Sequence, residues 1–327
     1  METEGNRVNR FIMGVLGFTA LLGSSPAGQT PASSPSNLWI GILHEDHYLE
    51  PVAALIDGKW WHEAPDDPDQ HFQMLQRIDR VPAEWLPPGR PLPTEWQTHL
   101  VDGRTIRVRT SGPLRPATVF EDHLRLNTDL PPPSTAADSS DAYDDEWATL
   151  GIAISGTVDV RVFTPMSDRT QQQVRRFLEP AMLKAEQAAI KLHASSTSET
   201  ARYFAPIDDR MIRAGRFELE HAVSSTQSDR SVIHYIEGGK TYSDSLECGT
   251  RIRAAAVQDR SGTLKVLEVQ ATSWCDLYVT QKPLAILERG GRRCWLSAYH
   301  YEDGVEFVLT GSRHISLDDE PPACTVK

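Results

Sequence analysis

The stretch that decides the fold is residues 251–271, RIRAAAVQDRSGTLKVLEVQA. Two mainly apolar runs, Arg251–Val257 and Leu264–Ala271, flank the turn-forming residues 259–262 (DRSG). A short connection between two such runs predicts antiparallel strands joined in a hairpin. The surrounding sequence repeats this arrangement.

Further strands are predicted on both sides of this hairpin after residue 214. They are 217–223, 232–237, 240–245, 284–287, 294–299 and 305–309. Glycine pairs at 238–239 and 290–291 lie between successive strands, where a turn is expected. Because short connections make neighbouring strands antiparallel, we predict a meander of about six to eight strands that forms a curled sheet or partial barrel.

One long helix is predicted before this meander, after a strand over 157–163. Ser167 or Asp168 can cap its first turn, because their side-chain oxygens accept a backbone N–H. Apolar residues then recur at helical spacing, at Val174, Phe177, Leu178, Met182, Ala185, Ala189 and Leu192. Pro180 lies within this pattern, and we expect a kink or a break there.

Residues 37–130 form a separate β-rich region. Apolar side chains alternate over 38–42, as in a strand. Asp57-Gly58 and Asp102-Gly103 each lie between apolar runs, an arrangement typical of type I′ hairpins. We predict a small antiparallel β domain from residue 37 to residue 130.

The segment 131–147 is the predicted domain boundary. It has three consecutive prolines and five carboxylates but no Lys or Arg, which is typical of an extended linker. The predicted fold class is α+β and dominated by β-structure. It combines the small N-terminal antiparallel domain with a C-terminal domain, residues 148–327, in which the antiparallel meander packs against the long helix.

The first 27 residues have the layout of a secretory signal peptide. Arg7 and Arg10 precede an apolar run from Phe11 to Gly23, and small residues follow at Ser25 and Ala27. We expect cleavage near Ala27, a disordered tether over 28–36 and a periplasmic or extracellular location, with no integral membrane span after signal removal. The alternative is an uncleaved segment that anchors the protein at the inner membrane.

All four cysteines lie in the last eighty residues, which agrees with export. They are Cys248, Cys275, Cys294 and Cys324. Four cysteines allow three disulfide pairings, and we favour Cys248–Cys275 with Cys294–Cys324. The alternatives are free buried thiols and a zinc site, but no closely spaced Cys pair of the kind that structural zinc sites use is present.

The formal net charge of −12 limits the classes of partner. No basic stripe occurs along the chain, so the main electrostatic attraction to nucleic acid is missing and we expect no nucleic-acid binding. Anionic membrane surfaces would repel the protein for the same reason.

His44-Glu45-Asp46-His47 is the densest group of potential metal ligands. His44 and His47, with His62 and His71 as further ligands, could hold a metal ion. However, alternate side chains of a strand point to opposite faces, which would separate the two histidines. A polar loop without metal explains the same residues, and we expect no cofactor.

Tryptophans are concentrated in the N-terminal region. Four of them, Trp60, Trp61, Trp85 and Trp96, are candidate ligand-binding residues, since exposed indole rings can stack on sugars or proline-rich peptides. The same side chains could instead form the core of a small sheet, as we also consider for Trp39.

No hydrolase, P-loop or dinucleotide-binding signature is present, so the catalytic residues remain unknown. Ile154-Ser155-Gly156 resembles the end of a nucleophile elbow, but Ala153 replaces the first glycine. His221, His234 and His300 lie on predicted strands, where hydrogen-bonded sheet histidines are expected.

Residues 49–60 and 283–295 are similar to hairpins of exported bacterial proteins, and this resemblance implies a bacterial envelope protein without identifying any site residue. We therefore expect a non-enzymatic binding or interaction module of the cell envelope, with an envelope protein, a peptide or a glycan as partner. The alternatives are a hydrolase acting on an envelope polymer or peptide, and a carrier of a small hydrophobic ligand.

Overall fold

The computed structural model describes residues 37–56, 59–62, 91–116, 124–131, 149–242, 248–275, 279–289, 292–301 and 304–311. All of them belong to one compact unit, Pro35–Lys327. The predicted signal peptide, the tether and the linker segment 132–147 lie outside the described residues.

The N-terminal strands close into a barrel. The strands of this sheet are β1 (Leu38–His44), β2 (Tyr48–Ile56), β3 (Lys59–His62), β4 (Glu95–Leu100), β5 (Thr105–Pro116), β6 (Leu124–Thr128) and β7 (Thr149–Ser155). Antiparallel pairing runs in the order β1-β7-β4-β5-β6-β2, and β2 also pairs with β1, so six strands form a closed ring. β3 extends this sheet by pairing with β2.

Apolar side chains from every strand of the ring pack in one core of the barrel. They are Trp39, Leu49, Ala54, Trp96, Leu114, Leu126 and Ala153, and all are buried. The hairpin predicted at Asp102-Gly103 is confirmed, since β4 pairs with β5 across it, but the predicted type I′ turn is wrong: Gly103 has φ +87°, whereas Asp102 lacks the positive φ that this turn also requires there. Asp57-Gly58 lies outside the described residues, although the two strands that flank it pair as predicted.

One barrel strand comes from beyond the predicted linker. β7 follows residue 148 in the sequence but lies between β1 and β4 in the sheet. The division into domains at 131–147 therefore stays a prediction, and the sheet of the N-terminal region includes a strand from its C-terminal side.

The long helix is α1, Asp168–Ala194, and two short helices follow it, α2 (Ala201–Phe204) and α3 (Asp209–Ala214). Ser167 caps α1 as predicted, because its Oγ accepts a hydrogen bond from the N–H of Thr170 at 3.4 Å. Of the kink or break expected at Pro180, the break is wrong, since α1 continues through it, and the kink stays a prediction. The carbonyl of Arg176, which loses its partner there, belongs to an exposed residue, so water can satisfy it.

The remaining strands form two sheets. β8 (Asp159–Val162), β14 (Thr280–Arg289), β15 (Arg292–Tyr301) and β16 (Gly304–Gly311) make a four-stranded sheet in the order β16-β15-β14-β8. β9 (Thr164–Pro165), β10 (Phe217–Thr226), β11 (Val232–Thr241), β12 (Cys248–Gln258) and β13 (Leu264–Cys275) make a five-stranded sheet in the order β13-β12-β11-β10-β9.

These elements stack in layers around three apolar cores. α1 covers one face of the five-stranded sheet with Val174, Leu178 and Met182. The other face packs on the four-stranded sheet through a core that includes Ile286 and Trp295. The far face of the four-stranded sheet packs on the barrel wall. The β-dominated α+β class is thus confirmed, and no helix in the described parts of the chain is long and apolar enough to cross a membrane.

Two details of the predicted meander are wrong. The strands after residue 214 form two stacked sheets, because β14 pairs with β8 instead of with β13. In addition, β11 runs straight through Gly238-Gly239, where a turn was expected. A Cβ at residue 238 would lie 2.1 Å from the Glu218 carbonyl oxygen, so this glycine permits close approach of β10.

Candidate functional site

The outer edge of β13 is the most prominent candidate interaction surface. β13 is an edge strand of the five-stranded sheet, and no described strand pairs with its outer edge. Val266 and Leu267 on this strand are 47% and 51% exposed. Long edge strands with exposed apolar side chains readily pair with another chain.

A β-bulge shapes this edge. Ala256 lies opposite Val266 and Ala255 lies opposite Glu268, so Leu267 is the extra residue of β13. The bulge changes which side chains share a face. Lys265 and Glu268, an odd number of positions apart, both lie on the face of β13 that is opposite the helix, because their partners Val257 and Ala255 pack in the inter-sheet core.

A groove between the three helices is a second candidate site. It has a volume of about 490 Å³ and an apolar floor of Ile190, Phe204, Ile207 and Ile212. Polar side chains at its rim are Gln187, Lys191, Asp208 and Asp209. Its size and apolar floor resemble those of small-molecule sites.

Hydrogen bonds at the start of α3 position one wall of this groove. The Asp208 carboxylate accepts the N–H groups of Arg210 and Met211 at 2.9 and 2.8 Å and so caps the helix. Across the groove, the Gln187 amide donates to Asp209 Oδ1 at 2.9 Å. The hydrogen bond from Gln187 to Asp209 joins α1 to α3.

A buried ion pair fixes both helices to the sheet. Lys240 Nζ on β11 lies 3.0 Å from Glu186 Oε1 on α1 and also donates to the Ile212 carbonyl of α3. The Tyr242 hydroxyl donates to the same Glu186 oxygen at 2.6 Å. Burial, and next the hydrogen bond to Glu186, raise the pKa of Tyr242, so its hydroxyl remains a donor.

A charged cluster lies between the two stacked sheets, centred on Glu237, which is fully buried. Its carboxylate accepts hydrogen bonds from Arg251 Nη1 at 3.1 Å, Arg253 Nε at 3.1 Å and the backbone N–H of Gln281 at 2.9 Å. The Tyr235 hydroxyl, 2.9 Å from Glu237 Oε2, adds a further donor. This carboxylate therefore has donors from β11, β12 and β14.

Strand register assembles this cluster. Glu237 lies opposite Arg253, and Gly239 lies opposite Arg251, so both guanidinium groups share a face with Glu237. Arg251 also forms a two-point pair with Glu220, with N–O distances of 2.5 and 3.3 Å. Two carboxylates and two guanidinium groups thus balance in charge. Sequence reasoning missed the cluster, although arginines two positions apart in an apolar strand were a usable signal.

Two histidines lie beside this cluster. The ring centroids of His221 on β10 and His300 on β15 are 6.4 Å apart. Burial, followed by the nearby Lys282 charge, lowers the pKa of His221 to about 4, against the opposing effect of Glu220. Burial also lowers the pKa of His300 to about 4, with contributions from His221 and Lys282. Both rings are therefore neutral at neutral pH.

Lys282 on β14 completes this group. Burial lowers the pKa of its amine, and Glu45 on the connection between β1 and β2 opposes the shift. Perturbed pKa values are common at catalytic sites, but they also arise in structural networks. Neither the helical groove nor the cleft beside the barrel, described below, is lined by these side chains.

The two histidines proposed as metal ligands do not converge. His44 is fully buried, and its Nε2 lies 2.8 Å from Glu50 Oε2. His47 lies after β1 with φ +67°, and its ring bonds to the Pro131 carbonyl oxygen. The structure shows no group of three potential ligands among the described residues. His71 and the side chain of His62 lie outside that part of the chain.

The predicted tryptophan surface is wrong for Trp96. This side chain is 1% exposed inside the barrel, where its Nε1–H lies 3.3 Å from both the Pro93 carbonyl oxygen and Thr110 Oγ1. It fills the core of a small barrel and cannot stack on a ligand from solution. The side chains of Trp60 and Trp61, and all of Trp85, lie outside the described residues.

The predicted disulfide pairing stays a prediction, although three of the four cysteines lie on described strands. Strand register places Cys248 directly opposite Cys275 on β12 and β13. Cys248 and Cys294 are buried, and no cysteine side chain that the structure describes is free. Cys324 lies outside the described residues.

A polar cleft of about 490 Å³ lies beside the barrel. It is lined by residues of β4, β5 and β7, and it includes Ser155 and Gly156 of the incomplete nucleophile elbow. None of the described residues that line this cleft is a histidine, so none of them offers Ser155 an imidazole base.

No family model matches this chain, and neither do the curated proteins or the solved structures at a significant level.

Proposed function

We propose that the protein is an exported, non-enzymatic interaction module of the bacterial cell envelope, which binds an extended segment of a polypeptide along the outer edge of β13. The observation that carries this proposal is the half-exposed pair Val266 and Leu267 on an edge strand without a described neighbour. Strand addition satisfies the backbone groups of such an edge, while side chains provide selectivity.

Photocrosslinking in cells tests this proposal. The photoreactive amino acid p-benzoylphenylalanine replaces Leu267, and the matched control carries it at Leu192, which is 74% exposed on α1. We expect a polypeptide adduct at position 267 and none at position 192. Absence of an adduct at 267, or equal labelling at both positions, contradicts a binding role for this edge.

Export is part of the same proposal. We infer a cleaved signal peptide over residues 1–27 and two disulfides, Cys248–Cys275 and Cys294–Cys324. The β12–β13 register supports the first pairing, and the absence of a free thiol among the described cysteine side chains supports both bonds. Mass spectrometry of the native protein should find a first residue near 28 and no thiol that reacts with maleimide before reduction. Reactive thiols in the native protein contradict export.

The helical groove favours a second candidate function, the binding of a small hydrophobic ligand. Ala205 lines the groove and is exposed, so Ala205→Trp should fill it without disturbing the core. Ala188→Trp on the exposed side of α1 is the matched control. The probe is 1-anilinonaphthalene-8-sulfonate. If its fluorescence falls only in Ala205→Trp, the groove binds apolar ligands, whereas equal fluorescence in both variants excludes this function.

A further inference from the structure

We propose that the polypeptide bound at the edge of β13 is the β13 of a second copy of this chain, paired antiparallel about a two-fold axis between Val266 and Leu267. This inference rests on the proposed function, and it specifies both the partner and the register. The resulting dimer would join two five-stranded sheets into one continuous sheet.

Charge complementarity supports this register. With the two-fold axis between Val266 and Leu267, Lys265 of each copy lies opposite Glu268 of the other. Two opposite-charge pairs then form across the seam, and such cross-strand pairs favour one register over its neighbours. Lys265 is exposed and Glu268 is partly exposed at this edge.

The β-bulge makes the same register sterically consistent. Residues that face each other in antiparallel strands must point to the same side of the sheet. In a regular strand, Lys265 and Glu268 would point to opposite sides. The extra residue Leu267 brings them to one side, as their partners in β12 show.

The apolar side chains of β13 also match in this register. Leu264 would face Val269, and both already lie on the helix side of the sheet, in the core beneath α1. Val266 would face Leu267, so the exposed apolar pair of each copy would be covered by that of the other. The seam thus buries the apolar surface that the isolated chain exposes.

Such a seam requires room for the two α1 helices beside it. α1 contacts β13 and β12 more than any other strand of the sheet. A two-fold axis perpendicular to the sheet keeps both helices on the same side. Helices centred between β12 and β13 would lie about 10 Å apart across the seam, given the usual strand spacing, which is close to the distance at which helices pack.

Charge-swap variants of the mature protein test the proposal by analytical ultracentrifugation over about a hundredfold range of concentration. We expect the unmodified protein to dimerise reversibly. Lys265→Glu places two pairs of carboxylates across the seam, and Glu268→Lys places two pairs of amines there. Each single variant should weaken the dimer at least about tenfold.

Two combinations make the test specific to the register. The double variant Lys265→Glu/Glu268→Lys should dimerise like the unmodified protein. An equimolar mixture of the two single variants should form a heterodimer, because each of its seam pairs is again of opposite charge. Circular dichroism checks that each variant is folded.

An unmodified protein that stays monomeric at every concentration overturns this inference. So do single variants that dimerise normally, or a mixture that does not associate. The crosslinking at position 267 separates the two proposals. An adduct of twice the chain mass supports the homodimer, whereas an adduct with another polypeptide leaves the proposed function intact and rejects the second copy as partner.

Discussion

Both faces of the five-stranded sheet are buried, but they differ in how their charged side chains are paired. Lys240 is the one buried charged residue that the structure describes on the face beneath α1, where it pairs with Glu186 and reaches α3. The face toward the four-stranded sheet carries Glu237, bound by two arginines. On the helix side, one ion pair links the sheet to α1. Between the two sheets, a network of charged side chains also binds a backbone N–H, that of Gln281.

The comparison predicts the largest effect for loss of the central carboxylate. Glu237→Gln leaves Arg251 and Arg253 without their common anion in a buried layer. Breaking a buried charge network costs about 3–5 kcal/mol of unfolding free energy. Urea denaturation followed by circular dichroism measures this loss.

Glu220→Gln provides the matched control for that change. Glu220 contacts only Arg251 among these arginines, and its side chain is 21% exposed. We expect this variant to lose less than half as much stability as Glu237→Gln. Equal losses would show that the position in the network is unimportant.

A smaller effect is expected on the helix face. Lys240→Met removes the amine but leaves the Tyr242 hydroxyl bonded to Glu186. Because Tyr242 still donates to Glu186, we expect a loss of about 2–3 kcal/mol of unfolding free energy, which is less than for a buried carboxylate without any donor. Hydrogen exchange should accelerate in α3, because Lys240 also binds the Ile212 carbonyl.

A double variant distinguishes an ion pair that stabilises from one that mainly specifies geometry. Lys240→Met/Glu186→Leu replaces both charges with apolar groups of similar size. Such replacements are often neutral, so the double variant should be more stable than Lys240→Met alone. If it is less stable, the pair contributes directly to the free energy of folding.

The face toward the four-stranded sheet also makes the stability depend on pH. His221 and His300 beside the inter-sheet cluster have pKa values of about 4 in the folded state, below the usual 6.5. As the pH falls below 6.5, the unfolded chain takes up protons that the folded chain refuses, so stability declines down to about pH 4. After allowance for partial exposure, the loss is about 2 kcal/mol per histidine.

Urea denaturation at pH 7 and pH 4.5 measures this loss. His221→Gln/His300→Gln cannot take up these protons, so its stability should depend less on pH in this range. A double variant that loses stability as steeply as the unmodified protein refutes the assignment.

How far the sequence predicts this fold depends on whether the interacting residues are near or far apart in the sequence. Some local signals were reliable, as the Asp102-Gly103 hairpin and the Ser167 cap show, whereas Pro180 did not break its helix. Non-local pairing was not predictable, because the insertion of β7 between β1 and β4 depends on contacts distant in sequence. The Glu237 cluster likewise exists only once β11, β12 and β14 are in register. Of this cluster, only the two arginines could be recognised from the sequence, as charged residues in an apolar strand.

Gly238 and Gly239 show the same limit in one dipeptide, and they provide the last prediction. A glycine pair is typical of a turn, yet both residues lie within β11. A Cβ at residue 238 would lie 2.1 Å from the Glu218 backbone oxygen, which cannot rotate away. Gly238→Ala should therefore push β10 from β11 and cost about 1–3 kcal/mol of unfolding free energy, the usual range for overpacking.

Gly239→Ala is the matched control for this substitution. Its Cβ would lie 3.4 Å from the carboxylate oxygen Glu220 Oε1, a side-chain contact that can adjust. We expect its unfolding free energy to stay within about 0.5 kcal/mol of the unmodified protein. If both variants lose the same unfolding free energy in urea, the close approach of β10 to β11 is not the reason for a glycine at residue 238. The glycines would then serve chain flexibility.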